Sequence, residues 1–156
     1  MDPTLDLEFT RILPAPRAEV WRAWTEADEL RQWFLPAPMV LRVDRLEVHP
    51  SGGLVTSLSE DGRTFHPHID AVFLVVEEDT RLVWTNAIGS AWRPQRPQPV
   101  PLTTEILLLP HPEGTDYRVV VRHGCPDDRD RHVELGFFEG WETVTDQLDG
   151  HLKRRT

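Results

Sequence analysis

The chain has 156 residues, with 26 acidic side chains against 17 basic ones and a formal net charge of −9. A chain of this length most economically forms one domain, residues 1–156, and buries roughly 70% of its unfolded surface. The charge opposes binding to nucleic acid and to anionic membranes, and no run approaches the ~20 apolar residues of a membrane span.

The start, MDPTLDLEFTRIL, lacks the basic-then-apolar pattern of an export signal. A single cysteine, Cys125, leaves no internal disulfide and fits a reducing compartment, so a cytoplasmic protein is expected. LDLEFTRIL (5–13) reads as a first strand closed by Pro14 and Pro16, and RAEVWRAWT (17–25) as a short helix. Asp28 is a candidate N-cap for a second short helix, ELRQWF (29–34), ending before Pro36.

From residue 39 to 123 the period changes. VLRVDRLEV and LVTSLSE make a hairpin about Ser51-Gly52-Gly53, and further strands are expected at 64–76, 81–88, 102–109 and 116–123. Short turns between consecutive strands imply an antiparallel meander, and strands bracketed by helices imply an α+β domain.

The last segment reads as one long helix. Asp127, Asp128 and Asp130 crowd its start and Lys153, Arg154 and Arg155 its end, matching the helix dipole. Val133, Phe137, Trp141, Val144, Leu148 and Leu152 form one apolar stripe. At ~1.5 Å per residue the helix would run about 36 Å, enough to cross a sheet. Gly136 and Gly140 interrupt it at a cost of about 1 kcal/mol each. Their acidic neighbours Glu134, Glu139 and Glu142 exclude a lipid-buried dimer motif. Close packing against a sheet explains them, and so does a wall thinned beside a cavity.

Three stretches, VWRAWTEADELRQWF (20–34), TRLVWTNAIG with AWRP after it (80–94), and HVELGFFEGWETVTDQL (132–148), resemble the SRPBCC (START/Bet v 1-like) superfamily. Within it, they resemble the activator of Hsp90 ATPase homologue 1-like branch. The resemblance implies a helix-grip fold: a curved antiparallel sheet of six to seven strands around a long C-terminal helix, with two short helices after strand one. It also implies a hydrophobic cavity between sheet and helix, with no cofactor. Superfamily members bind lipids, polyketides or other metabolites, and some are cyclases or hydrolases. Fold alone does not select among these.

Strand alternation nominates the lining. Tyr117, Val119, Val121 and His123 share one face, and so do Leu82, Trp84, Asn86 and Ile88. Phe137, Gly140, Trp141 and Val144 would face them from the helix, Phe73 belongs to a buried strand face, and Trp92 in the Pro-rich loop is a gate candidate. Trp33 and Phe34 complete the set, or form a dimer face if exposed.

Three reactive constellations are weighed. His66, His68 and Asp70 recur at every second residue, roughly 6.6–7 Å apart, and neighbours at that spacing can share a metal. Phe65, Ile69, Ala71 and Phe73 hold the opposite register, however, which turns the histidines to solvent, and Pro67 suggests an edge or bulge. Cys125 would need His123 or His132 to become a nucleophile, and Asp127 and Asp128 oppose its thiolate. His123, with Asn86, Asp44 or Glu47, is the candidate set for acid–base chemistry. The expectation is a protein that binds a small hydrophobic or amphipathic molecule. The alternatives are a polyketide cyclase- or hydrolase-like enzyme in the same cavity and a co-chaperone-like partner of Hsp90.

Overall fold

The computed structural model describes residues 1–155. Strand β1 (Asp6–Leu13) is followed by helices α1 (Arg17–Thr25) and α2 (Ala27–Leu30). Six strands follow: β2 (Val40–Leu46), β3 (Gly53–Ser59), β4 (His66–Glu77), β5 (Arg81–Thr85), β6 (Thr103–His111) and β7 (Gly114–Arg122). Helices α3 (Pro126–Glu134) and α4 (Phe137–Arg155) end the described chain.

All seven strands form one antiparallel sheet in the order β1-β7-β6-β5-β4-β3-β2. Sequence neighbours pair from β2 to β7, and β1 closes on β7, the partner farthest from it in the meander. Register shifts at Val43/Arg45, Thr56/Ser57 and Phe73/Val75 insert bulges into successive pairs, which add twist and bend the sheet.

The concave face holds the core. Trp24 donates its indole N–H to the Tyr117 hydroxyl at 2.9 Å, and Trp33 donates its own to Ala23 O at 3.0 Å. Both large aromatics therefore bury their rings without leaving a polar atom unpaid. Burial raises the Tyr117 phenol pKa, against the lowering effect of the Trp24 bond. Trp24, Trp33, Phe34 and Trp141 form a cluster with ring centroids 4.9 to 6.3 Å apart.

Two elements differ from expectation. The second helix spans only Ala27–Leu30, and its N-cap is Glu26 with no side-chain cap bond. Asp28 therefore lies inside the helix, and Trp33 and Phe34 fall in the turns after it. The long terminal helix is broken at Leu135 and Gly136. The Gly136 amide bonds back to Val133 O, and φ is +95° there, the left-handed conformation that glycine adopts without penalty. Gly136 is thus a helix stop.

Candidate functional site

A cavity of about 330 Å³ lies between the concave sheet face and the first turns of α4. Phe137, Gly140, Trp141 and Val144, at i, i+3, i+4 and i+7, make the helical wall. Trp84, Thr104 and Val121 come from the sheet, and Phe34, Leu35 and Pro36 from the loop after α2. Gln98, Pro99 and Val100 close a further side. Among the described residues, no Asp, Glu, Lys or Arg lines the space.

Gly140 earns its place here. A Cβ built on it meets nothing within 4 Å, so the backbone itself forms the wall and the missing side chain adds to the void. Gly140 thus supports the thinned-wall explanation, whereas Gly136 answers to backbone conformation.

His68 is turned inward, against the expectation that it faces solvent. The bulge at Thr56/Ser57 pairs Ile69 with Thr56 and Pro67 with Ser57, which leaves His68 without a direct partner. Alternation breaks at that point, and His68 and Ile69 both line the cavity. The His68 Nδ1 lies 3.0 Å from Thr56 Oγ1, and burial pushes its pKa down to about 4. His66 and Asp70 are exposed, and Asp70 accepts the Ser90 amide instead. The three do not converge, and among the described residues no group of three His, Cys, Asp or Glu could hold a metal.

His123 is 6% exposed and lies behind the lining. Its Nδ1 is 2.8 Å from Leu5 O, and its Nε2 is 2.8 Å from Nδ1 of His132. His132, on α3, is the histidine that reaches the cavity from this end. Its pKa is lowered to about 4, mainly by burial and secondarily by His123. The sequence pattern had nominated His123 and left His132 beside Cys125. The i, i+9 pairing across the β7–α3 turn is visible only in three dimensions.

Of the remaining nominated residues, Phe34, Trp84, Asn86, Val121, Phe137, Gly140, Trp141 and Val144 meet at the cavity. Trp33, Tyr117 and Val119 do not: each is 0% exposed and belongs to the solid core. With Phe34 also buried, at 8%, Trp33 and Phe34 form no exposed dimer face. Trp92 is 68% exposed and is not among the residues that line the cavity. Its indole donates to Ser51 O, and with Phe73, Leu74 and Ile88 it borders a shallow depression elsewhere. Ile88 lies beyond the end of β5, so strand alternation no longer governs it.

Polar partners also redistribute roles. The Asn86 side chain donates to Val100 O and accepts from the Leu102 amide, so it braces the loop that forms one wall. Asp44 is engaged by Ser57 and Arg42, and Glu47 by the Gly53 amide and Arg45, all outside the cavity lining. Cys125 is exposed and its nearest role is as N-cap residue of α3. The Trp84 indole N–H is buried with no partner among the described residues, an orphan donor that costs about 1–3 kcal/mol until something accepts from it.

A seven-stranded antiparallel sheet curved around a C-terminal helix, with a cavity between them, defines a helix-grip domain of the SRPBCC type. The chain belongs to the activator of Hsp90 ATPase homolog 1-like family, whose sequence model matches residues 14–153. A crystal structure from Nitrosomonas europaea is 36% identical, covering 99% of this chain and 98% of that one, with a TM-score of 0.87. A Rhodobacter sphaeroides protein (18% identity, 99% and 96% covered, TM-score 0.83) shares the fold. A Mycobacterium smegmatis protein does as well (18%, 96% and 91%, TM-score 0.78). No curated protein matches the chain. Domains of this class generally bind hydrophobic ligands. No helix among the described residues is long and apolar enough to cross a membrane.

Proposed function

We propose that this protein binds one small, uncharged, largely apolar molecule, aromatic or polyketide-like, in the cavity between sheet and α4. The observation that carries the reading is Gly140 opening onto a 330 Å³ space with no Asp, Glu, Lys or Arg around it among the described residues. That volume falls at the small end of the ~300–1,000 Å³ typical of ligand pockets. A charged occupant would lose its hydration and find no countercharge, which is costly in such surroundings. Aromatic walls from Phe34, Trp84, Phe137 and Trp141 suit a flat ring system. The unpaired Trp84 N–H adds a reason for an oxygen in the occupant.

The test is Gly140→Leu. The added side chain projects into open space, so thermal unfolding should stay at or above the wild-type temperature. Affinity for a neutral dye such as Nile red should fall at least about tenfold. Unchanged affinity in a folded variant would remove the cavity as the binding site. Native mass spectrometry of freshly purified protein supplies the complementary readout, an organic mass lost on denaturation.

A further inference from the structure

The two linked histidines fix the polarity of one cavity group. The Leu5 carbonyl can only accept, so the proton of His123 sits on Nδ1. In the neutral pair, His123 Nε2 is then a bare lone pair, and the 2.8 Å contact requires His132 Nδ1 to donate to it. His132 Nε2 is therefore also a bare lone pair. It carries no hydrogen bond from the described residues, and His132 lines the cavity. The ring cannot turn freely, because Phe137 packs against it edge-on at 5.0 Å. The Asn86 side-chain oxygen, also on the lining, already receives the Leu102 amide.

From this geometry we infer that the cavity selects neutral molecules bearing a weakly acidic hydroxyl, a phenol or an enol, whose O–H donates to His132 Nε2. The inference rests on the binding reading above and adds the ligand's chemical class. A phenolic O–H is a strong donor, and an imidazole lone pair is a good acceptor for it. A carboxylic acid would ionise and bring a charge that no lining residue balances. An ether of the same shape would bury the lone pair of His132 without a partner. His123 acts here as a positioning residue: it touches no ligand and sets the tautomer of the ring that does.

Titration with 2-naphthol and 2-methoxynaphthalene, followed by quenching of tryptophan fluorescence, tests the idea with one ring system and one changed group. The wild type should bind the naphthol about five- to tenfold more tightly, although the ether is the more apolar molecule. His132→Phe should bring that ratio to about one while retaining ether binding. His123→Phe should lower the ratio in the same direction without altering ether affinity. Equal wild-type affinities for the two probes would overturn the hydroxyl preference while leaving the cavity reading intact. Failure of both probes to bind would overturn the cavity reading as well. Undiminished selectivity in His123→Phe would overturn the relay. Long-range ¹H–¹⁵N correlation spectra of the wild type at pH 7 check the proton positions directly. His132 should show a protonated Nδ1 and an unprotonated Nε2, and either the opposite tautomer or a cationic ring refutes the assignment.

Discussion

The two halves of α4 meet the same curved sheet in opposite ways. Its later turns carry Leu148 and Leu152, 0% and 1% exposed, and pack into the solid core. Its first turns carry Gly140 and leave 330 Å³ unfilled. The sheet opposite the hollow does not lack apolar residues, since Trp84 and Val121 stand there. The missing side chain at Gly140 adds to that void, and Gln147 and Asn86 brace walls around it. Cores close wherever side chains can interdigitate, so a hollow kept beside a filled region has been specified by particular residues.

That contrast can be broken first at the filled end. Leu148→Ala should cost roughly 2–5 kcal/mol in urea denaturation, and Nile red affinity of the folded fraction should stay within about twofold. Acid is expected to act on the hollow end. His68 takes up a proton near pH 6.5 when unfolded and only near 4 when folded, because burial lowers its pKa. Stability supplied by the neutral ring is thus complete above 6.5 and lost as pH falls towards 4. The loss should be on the order of 3 kcal/mol, with His132 adding in the same window and direction. His68→Gln should flatten the stability curve between pH 6.5 and 4.

The two glycines sharpen the comparison on a smaller scale. Gly136→Ala forces a side chain into φ +95° and should destabilise by about 1–2 kcal/mol. Gly140→Ala places a methyl in open helical space and should stabilise by about 1 kcal/mol. Opposite signs in the two melting curves would separate a glycine kept for the backbone from one kept for the cavity. Equal signs would remove that distinction.

The meander, its turns and α1 were legible in the sequence because periodicity and turn chemistry are local signals. Helix α1 falls on the expected residues 17–25. The lining was legible where alternation or helical spacing persists: Trp84 and Val121 on strands, Phe137 through Val144 on the helix. It failed where regularity ends. His68 sits at a bulge that reverses its face, and Ile88 lies past a strand end. The break before Phe137 is a single glycine whose φ the apolar stripe does not report. His132 was invisible for another reason: its meaning depends on touching His123, which no one-dimensional pattern encodes.

Gln147 has a consequence of its own. From α4 it donates to Trp33 O and Leu35 O and accepts from the Ala37 amide, each at 2.8 to 2.9 Å. One amide thereby rivets the Phe34–Pro36 wall to the helix at three points. The far side is held differently: α3 there has no fully buried residue and stops at Gly136. The amide that keeps one wall shut gives the chamber a front and a back.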